Sequence, residues 1–388
     1  MNYPQQHKSR FSALLANAAR LALAAGLIWW LIGSGSIKLD YLYVPHGRIH
    51  MLITGAAALL AAMILSGVRY RELINGSGVS MSLADSLKAS AIMYFFTQCV
   101  LGPASGDVAR YFYTIKSTGN RTGAGAAIIV DRFIGIMGLF MLAGIGMILN
   151  WSLVESSAPL RLIAIPLLTL LSGLWLGFFL GLLSLIKSRK TALITGAIFP
   201  VLASIMCTGG FSNFLGNEVG PVLLIVSISA LAAPLVAPEL LEGGYIREKI
   251  LRGSVLGTKA GEFISALLVF RKCPKVVAAT IAITALQHML FIVALYLFAM
   301  AQNLPAVPDF SQIFFSAPLA FLAGIIPAPA AGLGVNEAAF ETLLLLASAN
   351  TVKAGASIYL MHRIWTTLFS LSAIPFLINP GTKKVASQ

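Results

Sequence analysis

Asp107 and Arg110 are charged residues in an otherwise apolar stretch, where a charge is expensive unless it has a function. They are three residues apart, so on a helix they share one face and can pair. Asp107 is the last residue of a proline- and glycine-containing break at 102–107, and Arg110 follows it. A helix that begins just after the proline and glycine offers free N–H groups to an anion. The pattern predicts a site for a charged group.

A second break covers residues 327–337 and is also rich in proline and glycine. Here Asn336 is predicted to cap a helix, with Glu337 and Glu341 one turn apart behind it. Arg363 lies in the last apolar stretch and is expected to neutralise a buried carboxylate such as Glu337. Each break frees polar backbone groups, which a membrane tolerates only inside protein or along a cavity.

These candidates also have structural interpretations. Asp107 and Glu337 could cap helices, although Ser or Asn would do so without the cost of a buried charge. Asp131 and Arg132 could bind substrate or could only join helices through an ion pair. His362 is expected to be packed and hydrogen-bonded, because no second ligand stands at metal spacing. No metal or cofactor is predicted.

The composition shows what kind of protein must position these residues. Hydrophobic residues make up 58% of the 388 residues and charged residues only 11%, which is far below the share in soluble domains. A soluble fold of this size could not bury so much apolar surface, so a soluble enzyme is excluded. Cys99, Cys207 and Cys273 are too far apart for a CxxC pair, and a P-loop and a dinucleotide fingerprint are both missing. An ATP-driven motor is therefore also excluded.

Eight stretches are apolar enough to cross a membrane, which takes roughly 20 residues, although one of them is shorter. They are residues 14–33, 49–68, 123–149, 162–186, 191–207, 219–237, 276–301 and 355–378. The two broken segments, 89–121 and 311–350, do not fit as simple spans. The predicted fold is all-α: a polytopic transmembrane helix bundle of about eight full spans plus two opposed re-entrant broken-helix hairpins.

The positions of Lys and Arg predict the orientation of the chain. If both broken segments turn back, the basic clusters, Arg69 and Arg71 among them, fall on one side, so both termini are predicted to be cytoplasmic. Residues 1–10 and 379–388 are then tails, and 11–378 form a single transmembrane domain with no soluble domain attached. The basic stretch 239–275 is predicted to lie as an amphipathic segment on the inner leaflet.

The order and spacing of these motifs resemble the lysylphosphatidylglycerol synthase transmembrane-region family, also described as flippase-like membrane proteins. In that family a proline- and glycine-rich break ends in an acid with Arg three positions later, and an acid–Arg pair opens the next span. A late break of the GlyLeuGly-Val-x-Glu type and an Arg in the last span follow. The matching residues here are Pro103, Gly106, Asp107, Arg110, Asp131, Arg132, Pro327, Pro329, Gly332, Leu333, Gly334, Val335, Glu337 and Arg363.

The sequence departs from this pattern in several places. Ala104, Ala330 and Ala331 stand where glycines are usual, Asp131 replaces the commoner Glu, and Gly135 stands where an acid is frequent. The stretch 191–237 resembles an inserted helical pair, and the soluble aminoacyl-transferase domain of the two-domain synthases is missing. The resemblance therefore implies lipid translocation rather than lipid aminoacylation.

The leading hypothesis is a flippase-like translocator that moves a charged-headgroup lipid between leaflets of the bacterial inner membrane without ATP. Asp107 and Glu337 would hold cationic groups, while Arg110, Arg132 and Arg363 would hold phosphate. A membrane-embedded transferase with an acid as general base and a proton-coupled solute transporter are the alternatives. The expected partners are anionic, aminoacylated or glycosylated lipids and a separate lipid-modifying enzyme, and no nucleic acid.

Overall fold

The computed structural model describes Trp29, Gly33, residues 39–101, 103–157, Leu160, 269–270, 273–324 and 333–378. Within these residues the secondary structure consists of helices, without a strand. The predicted all-α class is confirmed.

Ten α-helices lie in the described ranges. They are α1 (Ile49–Gly76), α2 (Leu83–Phe96), α3 (Pro103–Thr118), α4 (Arg121–Leu149), α5 (Trp151–Ser156), α6 (Pro274–Ala301), α7 (Phe310–Ala323), α8 (Val335–Ala347), α9 (Gly355–Ser370) and α10 (Ile374–Ile378). A π-helical turn, Thr97–Leu101, follows α2, and short 3-10 turns occupy Leu39–Leu42, His46–Arg48 and Leu371–Ala373.

Three described helices are long and apolar enough to cross a membrane. They cover His46–Gly76, Arg121–Met147 and Lys275–Ala301, and they coincide with the predicted spans 49–68, 123–149 and 276–301. The last predicted span, 355–378, consists of α9, a 3-10 turn and α10. The other predicted spans, 14–33, 162–186, 191–207 and 219–237, and the basic segment 239–275 lie outside the described residues except at a few positions.

The described residues divide into two compact units. The first contains the chain up to Gly67, the segment Leu83–Ser117 and the chain from Leu286 onward. The second contains Val68–Ser82 and the described part of Thr118–Ala285. Residues 89–117 of the first predicted hairpin and all of the second, 311–350, therefore belong to the first unit. A single domain over 11–378 stays a prediction.

In the first unit, α2 and α3 form a tight helical hairpin. The Ser105 hydroxyl on α3 donates a hydrogen bond to the Phe96 carbonyl at the end of α2 (2.9 Å). A Cβ on Gly106 would lie 2.6 Å from the Met93 carbonyl oxygen, so only glycine allows this approach of the two helices. The chain folds back here, as the sequence predicts, and entry of this hairpin into a membrane stays a prediction.

Helices α7 and α8 form the second hairpin of the same unit and pack on each other. The end of α7 meets the start of α8 closely, because a Cβ on Gly324 would lie 2.6 Å from the Asn336 amide oxygen. Residues 325–332 of the predicted break lie outside the described residues.

Helix α9 contacts both hairpins. It packs against α8 on one side and against α2 and the π-helical turn on another. Its contact with α8 is close, since a Cβ on Gly355 would lie 2.9 Å from the Glu341 Cα. The core beneath it joins α1, α6 and α9 through Ala56, Leu59, Met63, Ala294, Phe298 and Met361. The two breaks therefore share one neighbouring helix.

The second unit combines the end of α1 with α4 and the start of α6. Helix α4 is capped by Asn120, whose side chain accepts a hydrogen bond from the Gly123 N–H (2.8 Å). Gly76 at the end of α1 faces α6, because a Cβ there would lie 2.9 Å from a methyl group of Val276. These contacts hold long, unbroken helices together.

Candidate functional site

Helix α8 begins at the second break with a glycine in a left-handed conformation. Gly334 is the N-cap residue and has a φ of 84°, which residues with a Cβ rarely adopt. Glu337, in the first turn of α8, reaches back and accepts a hydrogen bond from the Gly334 N–H (2.8 Å). This is the glutamate half of a capping box, and it fixes the carboxylate at the break.

The prediction that Asn336 caps this helix is wrong. Because Gly334 takes the left-handed conformation, α8 starts at Val335 and Asn336 lies within its first turn. The Asn336 amide instead donates a hydrogen bond to the hydroxyl of Tyr359 on α9 (3.0 Å). It therefore ties the break to the neighbouring helix.

Glu337 and Arg363 form a buried ion pair between α8 and α9. The Arg363 Nε lies 2.6 Å from Glu337 Oε1, and the Arg363 Nη2 lies 3.5 Å from Glu337 Oε2. The residues are only 1% and 9% exposed. The expectation that Arg363 neutralises Glu337 is confirmed, and each charge compensates the cost of burying the other.

Glu341, one turn further along α8, contacts the start of α9. Its Oε2 accepts a hydrogen bond from the Ala356 N–H (2.9 Å), one of the free donors at that helix N-terminus. Glu341 is also buried. Two carboxylates of α8 therefore bind α9: Glu337 pairs with the Arg363 guanidinium, and Glu341 accepts a hydrogen bond from the Ala356 backbone N–H.

The first break places a buried guanidinium between α2 and α3. Arg110 is fully buried, and its two Nη atoms donate to the Ser90 hydroxyl (3.0 Å) and to the Met93 sulfur (3.5 Å). Asp107 lies half-buried one turn before it on α3. The predicted pairing of Asp107 with Arg110 stays a prediction.

The start of α3 differs from the predicted one. The sequence suggests a helix that begins after the break, at Asp107, whereas α3 already begins at Pro103. Proline suits the first position of a helix because its missing N–H is not needed there. Gly106 and Asp107 therefore lie within the helix, and a capping role for Asp107 is excluded.

Asp131 forms a buried ion pair in the second unit, and its partner is Arg69 of α1. The Arg69 Nε lies 2.7 Å from Asp131 Oδ1, and the residues are 6% and 4% exposed. The Arg69 Nη1 also donates to the Thr284 hydroxyl of α6 (3.1 Å). The geometry supports the structural interpretation of Asp131, whereas Arg132 beside it is half-buried.

Arg69 is the polar residue that sequence reasoning missed. The charge pattern places it with Arg71 among the basic residues on the cytoplasmic side, but Arg69 is buried and paired within the protein. Its position directly after the predicted span 49–68 was the available signal. A charge at the edge of an apolar stretch serves equally well as an anchor or as an internal partner.

The structure places the predicted site residues in two groups. Asp107, Arg110, Glu337 and Arg363 belong to the first unit, together with Gly106 within α3 and Gly334 at the N-cap of α8. Asp131 and Arg132 belong to the second unit. Pro327, Pro329 and Gly332 lie outside the described residues, and of Pro103 only the backbone is described. Within the described part of the chain, no three His, Cys, Asp or Glu side chains cluster as metal ligands would.

A helical fold with long apolar helices and buried charges beside helix breaks defines a multi-pass membrane protein. The sequence profile of the family described as Lysylphosphatidylglycerol synthase TM region matches residues 17–373, so the chain belongs to this family. The family associates the protein with membrane lipids. Neither a curated protein nor a solved structure matches the chain.

Proposed function

We propose that the protein translocates a lipid with a charged headgroup between the leaflets of the bacterial inner membrane, with both termini in the cytoplasm. It acts as a carrier of unchanged lipid rather than as an enzyme. The proposal rests on membership of a lipid-handling family. The observation that carries it is the buried Glu337–Arg363 ion pair directly at a helix break.

An ion pair at a break can exchange partners with a headgroup. A lipid phosphate can replace the Glu337 carboxylate on the Arg363 guanidinium, which binds phosphate with two parallel hydrogen bonds. An ammonium group can in turn replace the guanidinium on Glu337. For a headgroup that carries both charges, each exchange replaces one opposite charge by another, so no charge is left unpaired during the passage.

The acyl chains of such a lipid remain in the membrane beside the protein. On α1, three large aliphatic side chains, Ile53, Leu60 and Ile64, are exposed at helical spacing and form one apolar face. Arg110, buried between α2 and α3 at the other break, provides a second guanidinium for phosphate. The headgroup thus meets polar groups within the first unit while its tails meet apolar surface.

A leaflet-resolved assay tests this function. The purified full chain is placed in sealed vesicles of phosphatidylglycerol and phosphatidylethanolamine that contain fluorescent, chain-labelled phospholipid. A membrane-impermeant reductant is then added outside. We expect nearly all label to become accessible with protein, but only the outer-leaflet share in protein-free vesicles. Unchanged accessibility would contradict the proposal, and chemical conversion of the lipid in detergent would point to a transferase.

Charge variants locate the activity within the protein. Asp107→Asn and Glu337→Gln keep the size of the side chain and remove the charge. Glu337→Gln should be less stable, because Arg363 loses its carboxylate, but we expect both variants to insert and fold and to lose most translocation. Asp309→Asn is the matched control, because Asp309 is an exposed acid at the start of α7. This control should translocate at the rate of the unmodified protein.

A further inference from the structure

His362 is a buried imidazole surrounded by aromatic rings in the first unit. It lies on α9, directly before Arg363, and is more than nine-tenths buried. Its ring centroid lies 5.7 to 6.5 Å from the rings of Phe291, Phe298, Phe321 and Tyr359. These residues come from α6, α7 and α9, so three helices meet at this imidazole.

Two polar side chains of the first unit have a buried atom without a hydrogen bond. Among the described residues, neither His362 Nε2 nor Gln287 Oε1 has a partner, and Gln287 is also more than nine-tenths buried. Gln287 lies one turn before Phe291 on the same face of α6, and Phe291 touches the His362 ring. Leucine and phenylalanine would fill this space without an unpaired polar atom, so packing alone does not explain His362 and Gln287.

The unpaired groups are uncharged acceptors and donors. The neighbouring charges, Glu337 and Arg363, already compensate each other. Asn336 gives its amide N–H to Tyr359, and its Oδ1 has no partner among the described residues. The side chains therefore offer carbonyl oxygens, an imidazole and aromatic faces to a binding partner.

A hydroxylated ring suits these groups. Its hydroxyl groups can donate to the carbonyl oxygens of Gln287 and Asn336, and they can exchange a hydrogen bond with the imidazole of His362. The apolar face of the ring can pack on the aromatic side chains, as in ligand sites that combine apolar walls with a few polar groups. These groups offer an ammonium no carboxylate of their own, because Glu337 is already paired with Arg363.

We propose that this group of residues, the His362 cluster, binds an uncharged hydroxylated ring, a hexose or an inositol, in the headgroup of the translocated lipid. The cluster consists of Gln287, Phe291, Phe321, Asn336, Tyr359 and His362. The inference rests on the proposed function, and it names the headgroup class. The charged part of the same headgroup binds at Glu337 and Arg363, next to the cluster.

Equilibrium binding of three lipids to the full chain tests the proposal. The lipids are phosphatidylinositol, which has a phosphate and a hydroxylated ring, phosphatidic acid, which has the phosphate alone, and phosphatidylethanolamine, which has an amine. The detergent must carry an amine-oxide headgroup, because a sugar detergent would compete. We expect phosphatidylinositol to bind at least about tenfold more tightly than the others, and a maltoside detergent to reduce this difference.

Two variants link the preference to the cluster. His362→Phe keeps a ring in place and removes both nitrogens, while Gln287→Leu keeps the approximate size and removes the amide. Each should remove most of the preference for phosphatidylinositol and leave the binding of phosphatidic acid unchanged. Thr280→Val is the control, because Thr280 is buried but already bonded to the Val277 carbonyl of its own helix (2.9 Å).

The outcomes separate this proposal from the proposed function. Equal binding of the three lipids, tightest binding of phosphatidylethanolamine, or an unchanged preference in both variants overturns the headgroup assignment even if translocation is observed. If His362→Phe does not fold, Gln287→Leu alone decides. Binding needs no sealed compartment, so a ring preference without leaflet exchange would instead contradict translocation.

Discussion

Among its described residues, each unit contains a buried ion pair of nearly the same length, but the two pairs have different surroundings. Glu337–Arg363 (2.6 Å) lies where α8 begins, beside a glycine with positive φ. Arg69–Asp131 (2.7 Å) lies between continuous helices and is supported by the Thr284 hydroxyl. A buried ion pair alone therefore does not identify a binding site. The same kind of pair lies at a helix break in one unit and between continuous, packed helices in the other.

This difference indicates which pair can exchange partners. At the break, Glu337 also holds the Gly334 N–H, and groups of the His362 cluster lie within one turn of Arg363 along α9. Asp131 and Arg69 instead connect α1, α4 and α6 within unbroken helices. We infer that the pair at the break takes part in headgroup binding and that the pair in the second unit stabilises the fold.

The largest expected effect comes from removing one charge of either pair. Arg363→Gln leaves the Glu337 carboxylate buried without its guanidinium, and Arg69→Gln does the same to Asp131. Each should lower the free energy of unfolding by about 3–5 kcal/mol, measured by denaturant unfolding in mixed micelles. A loss below about 1 kcal/mol in either variant would show that the remaining carboxylate is solvated or protonated at little cost.

Glycine-to-alanine substitutions compare the α2–α3 hairpin with the continuous helix α4, and we expect smaller changes in the free energy of unfolding. Gly106→Ala places a methyl group against the Met93 carbonyl and the Thr97 hydroxyl, so it should destabilise the protein by about 1–3 kcal/mol. At Gly135 on α4, the nearest atoms to an added Cβ are those of the Arg69 guanidinium at 3.8 Å. Gly135→Ala should therefore be neutral or slightly stabilising. Equal unfolding energies for the two variants would refute the close approach of α2 and α3.

Two glycines with the same φ give a finer comparison. Gly334 at the break and Gly78 in the second unit both have a φ of 84°. Alanine at either position should cost about 1–2 kcal/mol, because a Cβ strains this conformation. Only Gly334→Ala should also slow translocation, since it shifts the backbone N–H that Glu337 holds. Equal translocation by the two variants, at matched amounts of folded protein, would show that the backbone conformation at Gly334 is not needed for translocation.

Sequence reasoning predicted the elements better than their partners. The apolar runs located the helices 49–76, 121–149 and 274–301, because a membrane-spanning helix has a nearly fixed length. Proline and glycine located both breaks, and the cost of a buried carboxylate predicted the partnership of Glu337 with Arg363.

Partners far apart in sequence could not be predicted in the same way. Arg69 and Asp131 are 62 residues apart, and no pattern along the chain connects them. The N-cap of α8 was placed wrongly at Asn336, because residue preference favours asparagine there while the positive φ of Gly334 decides where the helix begins. The energetic cost of burying a charge thus predicts that a charged residue in an apolar stretch has a partner. Backbone conformation and tertiary packing determine which partner it contacts.

The most direct test removes both charges of each pair and measures leaflet exchange. Glu337→Gln combined with Arg363→Gln, and Asp131→Asn combined with Arg69→Gln, should both recover most of the stability that the single Arg variants lose. We expect the first double variant to be folded but inactive in the sealed-vesicle assay, and the second to translocate phospholipid at nearly the rate of the unmodified protein. Full translocation by the Glu337–Arg363 double variant, with loss of translocation in the folded Arg69–Asp131 double variant, would contradict the account.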